Sequence, residues 1–392
     1  MRFILILILL ACQTVFSQQV NFFQGTWSEA VALAEKENKY LFIDAFTDWC
    51  GPCKMLDKNF YNGNSTVADF INANYIGYKS DCERGMGIEL AQKFKIRAFP
   101  TILFFNPQGQ LVLVDKGYMP DPIDQLQSYK DALLIKEEKV FAYDSKILDP
   151  GFPDIYKRSF YNADVDDKKT FKRYDKDSIA AYLRAQHDLF TEINWAVMSI
   201  FPIDSAHTQF FIDNYDKYQQ LYKSEAVEKM SGVINSRLSA AANNNSQKEL
   251  KEVVSLIEKY FPEEKTERIE NSRIYFYKLT RQWPQYAEAV QKKIDRGGKD
   301  ATDFFANDAG WAIYENSSDP ELISTAISWV KPYASEDGMY MLLDTYAALL
   351  YKSGDIAAAE KWAVIAVEAG KKTGEDVNST EELLKKIREN KR

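Results

Sequence analysis

The chain has 392 residues, 46% hydrophobic and 27% charged, which is enough for two or three domains with cores of their own. With 49 basic side chains against 57 acidic ones, the net charge is −8, so the basic footprint of a nucleic-acid-binding surface is excluded. Two histidines and four cysteines leave no plausible Ser-His-Asp set and too few thiols for a disulfide-stapled scaffold.

At the N-terminus, Met1-Arg2 precedes the apolar run from Phe3 to Ala11, and Val15-Phe16-Ser17 follows. This reads as a signal peptide over residues 1–17, cut after about Ser17; the run is too short to span a bilayer. Lipidation at Cys12 and a buried N-terminal strand are the other readings. Cleavage removes Cys12 and leaves Cys50, Cys53 and Cys82. No other segment is apolar enough for a transmembrane span, so the mature chain is expected to be soluble.

Residues 20–142 read as one α/β domain. Thr26-Trp27-Ser28-Glu29 has the form of a capping box opening a helix to about Asn38. Tyr40–Phe46 is rich in β-formers and reads as a buried strand. A helix from Lys54 to about Phe60, one turn from Val67 to Ala73, a strand over Tyr75–Lys79 and a helix over Ile88–Phe94 follow. Strands over 101–106 and 110–118 are joined by the turn Asn106-Pro107-Gln108-Gly109. A last helix runs from Asp121-Pro122 to about Phe141.

The stretch Asp48-Trp49-Cys50-Gly51-Pro52-Cys53-Lys54 lies at the first strand-to-helix junction. Two cysteines with two residues between them can close a small disulfide or open into a dithiol. Cys50 falls near the helix N-terminus, where free N–H groups and the dipole favour a thiolate with a pKa of ~7 or below. Pro52 costs little in the first turn. Cys50 is therefore the expected nucleophile and Cys53, one turn further in, the resolving thiol. A static bridge or half a zinc site are the bland alternatives, but zinc wants four ligands and His187 and His207 are distant in sequence. A metal is not expected. Pro100, at the mouth of the strand opened by Phe99-Pro100-Thr101, is a candidate cis peptide that would expose backbone groups to an extended substrate.

Together, Trp49-Cys50-Gly51-Pro52-Cys53-Lys54 and the later Pro100-Thr101 resemble the thioredoxin family, over roughly residues 22–140. The resemblance implies a thioredoxin-like sheet. It makes Asp44 a buried acid that moves the proton of the resolving cysteine, its pKa raised by burial, with Lys79 as the lysine near that acid. It also implies that Trp49, Gly51, Pro52, Phe99 and Pro100 border the substrate. Cys82 is a lone thiol, either a second redox group or inert. Gly-Pro between the cysteines resembles the reducing members of the family.

Breakers and charge over 143–176 read as a linker, with the domain boundary at about 142–150. Residues 177–392 are helical by period. Ala326 and Trp329 recur 33 positions on as Ala359 and Trp362, and Gly354, Ala359 and Ala366 sit where tetratricopeptide (TPR-like) repeats place small residues for close helix approach. The last helix, about Thr380–Arg388, reads as a polar cap. The expected fold is thus a thioredoxin-like α/β domain followed by an all-α, partly TPR-like domain. The expected function is an exported, periplasmic thiol–disulfide oxidoreductase acting on protein disulfides, fed by a membrane thiol donor rather than by a cofactor, with a partner or substrate docking on the helical domain. The alternative is a non-catalytic scaffold in which the helices bind a partner and the α/β domain is a docking module.

Overall fold

The computed structural model describes residues 19–135, 141–161, 175–297 and 301–389. The signal peptide, Cys12 and residues 162–174 of the expected linker lie outside the described residues.

The Thr26 hydroxyl accepts from the Glu29 N–H while the Glu29 carboxylate accepts from the Thr26 N–H. This reciprocal cap starts α1 (Trp27–Glu37). Strands β1 (Tyr40–Phe46), β2 (Tyr75–Asp81), β3 (Thr101–Phe105) and β4 (Leu111–Lys116) form one sheet in the order β2-β1-β3-β4. β1 pairs parallel with β2 and antiparallel with β3, and β3 pairs antiparallel with β4. The parallel pair needs a crossover, supplied by α2 (Gly51–Leu56), a π-helical turn (Asp57–Tyr61) and α3 (Ser65–Asn74); α4 (Met86–Lys93) precedes β3 and α5 (Pro122–Ala132) follows β4. This is the sheet the resemblance implies.

β1 has a partner on each side and Leu41–Ala45 are buried. Because strand side chains alternate, Phe42 and Asp44 share a face. Phe42 there joins Leu56, Phe60, Tyr61, Phe104 and Tyr129 in one core cluster. Trp27 of α1 packs edge-on against Tyr78, Phe94 and Phe105 in a second aromatic group.

The last helix of this region does not run to Phe141. α5 ends at Ala132, and Phe141 donates its N–H to the Leu111 carbonyl. Phe141 is buried, so its ring and amide find partners at the start of β4, a long-range gain that a helical period cannot reveal.

The described part of the stretch after 142 is packed. Trp27 Nε1 donates to the Ser145 carbonyl at 2.7 Å, the Ser145 hydroxyl donates to the Gly109 carbonyl, and Phe152, Tyr156 and Phe160 are buried. Charge and breakers here mark a change of local structure while the chain stays on the same body. After α6 (Asp154–Lys157) come α7 (Lys176–Arg184), α8 (Glu192–Ile200), α9 (Ser205–Asp213), α10 (Tyr215–Tyr222) and α11 (Ser224–Asn243). The first compact unit extends to Met230 and the second begins at Ser231. Within the first, Trp195 stacks on Tyr222 with ring centres 4.8 Å apart, so the aromatic run over 207–222 serves as core.

A polar network sits inside this unit. Lys93, fully buried, pairs with Glu192 at 2.5 Å, and Lys95 pairs with Glu225 at 3.2 Å. Tyr143 takes a hydrogen bond from Lys95 and gives one to Glu225, which also accepts from Trp195 Nε1 at 2.8 Å. Lys93 and Glu192 are matched in charge alone, Lys93 Nζ and Glu192 Oε1 having no hydrogen-bond partner among the described residues, whereas Lys95, Tyr143 and Glu225 are both paired and hydrogen-bonded, the condition under which buried charge is tolerated. Tyr143→Phe should therefore lower stability by about 1–3 kcal/mol, read as a lower urea midpoint at unchanged slope. An unchanged midpoint would mean that the hydroxyl bridges nothing of consequence.

The regular structure described in the second unit is all helical: the rest of α11, then α12 (Gln247–Tyr260), α13 (Lys265–Leu279), α14 (Trp283–Arg296), α15 (Asp303–Asn316), α16 (Pro320–Val330), α17 (Tyr340–Ser353), α18 (Ile356–Thr373) and α19 (Asn378–Glu389), with one 3₁₀ turn after α16. Ala326, Trp329 and Ala359 are buried in its core, and Trp362 packs against it. Gly354 does not mediate close helix approach: it ends α17 at φ 89, and a Cβ there would meet open space. Its role is the left-handed cap that a side chain rarely tolerates. Close approach falls on Gly310, where a Cβ would come within 2.8 Å of Val330.

Candidate active site

The local sequence builds the pair directly. β1 delivers the chain to Cys50, which caps α2 in extended conformation, and its Sγ accepts the Cys53 N–H at 3.1 Å. Cys50 and Cys53 are joined by a disulfide. Pro52 stands in the first turn, where it forfeits no helical bond. Exposure does not separate the two residues, at 2% for Cys50 and 4% for Cys53. Position does: Cys50 Sγ lies where the first turn's N–H groups point, and a thiolate there is stabilised.

Asp44 is 1% exposed. Its Oδ1 has no hydrogen-bond partner among the described residues, and its Oδ2 lies 3.5 Å from Lys79 Nζ, the residue opposite it in the β1–β2 register. Loss of hydration pushes its pKa up to about 7, with Lys79 opposing and Asp57 reinforcing the rise. The Lys79 ammonium also pairs with Asp57 and stands 5.1 Å from the Phe46 ring centre. Asp57 is the member sequence reasoning missed. It follows Cys53 by four residues, the spacing that shares a helix face, and that spacing was the available signal.

Trp49 is 62% exposed. Its indole N–H donates to the Glu83 carboxylate at 3.0 Å, and its ring meets Phe99 edge-on at 5.9 Å. Glu83, unlike Asp57, had no sequence signal, because it depends on the loop after β2 folding back. The Phe99–Pro100 peptide is cis, and the Pro100 carbonyl accepts from Gly117 N–H at 2.9 Å. Gly51 is exposed and open, with nothing near a would-be Cβ. Trp49 thus joins the cysteine motif to the Phe99–Pro100 turn.

Cys82 is buried. Burial first, then Asp81, Asp44 and Glu83, push its thiol far above the ordinary range, so it stays protonated and poorly nucleophilic. Iodoacetamide should leave the Cys82 peptide unmodified in the native protein and label it fully in denaturant, by mass mapping. Rapid native labelling would refute this. His207 is occupied by Asp204 at 2.7 Å, and among the described residues no cluster of His, Cys, Asp or Glu could hold a metal ion.

Known proteins match the same region. A family model described as a thioredoxin-like domain matches residues 27–132. A peptide-N(4)-(N-acetyl-beta-glucosaminyl)asparagine amidase of Caenorhabditis briggsae is 31% identical over 74 residues, 19% of this chain and 11% of that protein. The thiol:disulfide interchange protein DsbD of Yersinia pestis is 29% identical over 89 residues, 22% of this chain and 15% of that protein. The chain thus spans only a small part of the length of these relatives. A solution structure of a candidate disulphide-isomerase from Bacteroides thetaiotaomicron is 38% identical and covers 29% of this chain and 93% of that one, with a TM-score of 0.27.

Proposed function

We propose that this chain, whose residues 27–132 are a thioredoxin-like domain, is a thiol–disulfide oxidoreductase that reduces or exchanges protein disulfides through Cys50 and Cys53. The observation that carries the reading is Cys50 at the head of α2, bridged to Cys53 and accepting its N–H. In the reduced form the Cys50 thiolate attacks one sulfur of a substrate disulfide. That S–S bond breaks and the other substrate sulfur leaves as a thiolate. Cys53, once deprotonated, attacks the Cys50 sulfur, closing the Cys50–Cys53 bridge and releasing the second substrate thiolate. Two electrons have passed to the substrate, and the thiolates released take up protons from water. Asp44, titrating near 7, is the base that takes the Cys53 proton. Trp49, Gly51, Pro52, Phe99 and Pro100 form the border against which an extended substrate lies.

The signal-like residues 1–17 favour export to the periplasm; a membrane thiol donor recharging the pair and a protein partner on the helical unit are further parts of this proposal. The direction of transfer is tested by equilibrating the mature protein with glutathione buffers. A reduction potential near that of thioredoxin, about −270 mV, supports a reductant, and one near about −120 mV reverses the direction.

A further inference from the structure

The end of α4 leads within a few residues to the Phe99–Pro100 turn, and side chains from beyond residue 140 grip it at successive points. Tyr156 donates its hydroxyl to the Gln92 carbonyl. Glu192 pairs with Lys93. Glu225 pairs with Lys95 at 3.2 Å, and Tyr143 accepts from the Lys95 ammonium and donates to Glu225. All four gripping residues lie outside residues 27–132, the span of the thioredoxin-like match.

Lys95 has φ 56. A residue with a Cβ favours the right-handed region unless something holds it in the left-handed one. Lys95 is held: its side chain is 7% exposed, and its ammonium lies 4.2 Å from the centre of the Tyr143 ring as well as against Glu225. Just beyond it the Ile96 N–H reaches the Ala91 carbonyl at 2.9 Å, but Arg97 and Ala98 are exposed. The far end is pinned where the Thr101 hydroxyl donates to the Ala98 carbonyl at 2.7 Å. The direction in which the chain leaves α4 is therefore set at Lys95. That direction carries Phe99 to the edge of Trp49.

We propose that Lys95, tethered by Glu225 and Tyr143, is a positioning residue for disulfide substrates: it holds the backbone turn that places Phe99 and Pro100 beside the cysteine pair. The segments after residue 140 thereby shape the border on which an extended substrate lies. This inference rests on the thiol–disulfide reading. Lys95 takes no part in the sulfur chemistry, so its loss should weaken substrate binding and spare the chemical step.

The test uses the full mature protein and two disulfides. One is an oxidised peptide that lies along the border; the other is the small aromatic disulfide dithionitrobenzoate, which needs only the sulfurs. Lys95→Ala should raise KM for the peptide about tenfold at unchanged kcat, and leave the dithionitrobenzoate rate where it was. Lys95→Gly also lacks the ammonium but accepts φ 56 freely, so its KM should return to within about threefold of the parent. Hydrogen exchange read by mass spectrometry follows the turn without turnover: amides 96–99 should exchange faster in Lys95→Ala, and less so in Lys95→Gly. Should Lys95→Ala not fold, Glu225→Gln takes its place, with the same split in smaller measure; it can still accept from Tyr143 and Trp195 but carries no charge. Unchanged KM and exchange in Lys95→Ala, a Lys95→Gly as impaired as Lys95→Ala, or a fall of kcat and of the dithionitrobenzoate rate together would each overturn the proposal. A parent that reduces neither disulfide sinks the redox reading instead, and the exchange result still decides whether Lys95 holds the turn.

Discussion

Cys50→Ser is expected to abolish disulfide reduction, with the rate of insulin reduction in the presence of dithiothreitol falling by three orders of magnitude or more, about 4 kcal/mol of barrier. The reason lies at the head of α2. Cys50 is the cap, its sulfur receives the Cys53 N–H, and a serine oxygen there stays protonated at neutral pH and forms no bond to sulfur. Cys53→Ser should behave differently. Its Cys50 still attacks, but nothing resolves the product, so mixed disulfides accumulate and are visible on non-reducing gels. If Cys53→Ser captures nothing while Cys50→Ser does, the two roles are exchanged. If Cys50→Ser keeps both partner binding and cellular function, the helices are the working part and the redox reading fails.

Asp44→Asn should make the protein more stable at pH 8, by roughly 2–4 kcal/mol, and flatten its stability against pH. A carboxyl whose folded pKa is about 7 binds a proton in the folded chain that the unfolded chain, with a pKa near 3.9, has already lost. Between those values the folded state holds more protons, so this group's contribution falls as pH rises from about 4 to about 7. It stays unfavourable above that. Asparagine carries no such charge, and Lys79 keeps Asp57 as partner. The advantage of the variant should shrink toward pH 4. On the proposed role of Asp44 as the base for Cys53, turnover should fall as well, by about 10–100-fold. Urea titrations at pH 4, 6 and 8 decide the matter: equal stability of both proteins at pH 8 would mean that the carboxylate is not desolvated.

Much of the redox region was legible because its signals are local. Thr26 with Glu29, the apolar run of β1 and Pro52 between the cysteines each act within a few residues, and each appears as the local rule requires. Gly109, at φ 78 in the turn between β3 and β4, is of the same kind. Asp44 could be singled out only through the family resemblance, since a strand acid is ordinarily solvated. Its burial depends on β2, β3 and the helix after Cys50 closing over it.

The end of α5, the burial of Phe141, Tyr143 and Tyr156, and the Lys95–Tyr143–Glu225 network were not readable in the same way. Each joins residues far apart in the chain, and a pattern with a period of two or 3.6 holds no record of which distant side chain will be met. Gly354 is an instructive case. A small residue at a helix end serves equally as a cap or as a point of close approach, and only the observed φ and the open space beside it separate the two. By itself the sequence determined the elements, the cysteine pair and its place at a helix head, because short-range sterics and hydrogen bonding fix these. The tertiary structure alone decided which titratable groups lost their water, Asp44, Lys93 and Cys82 among them, because desolvation is the sum of everything that packs around a group.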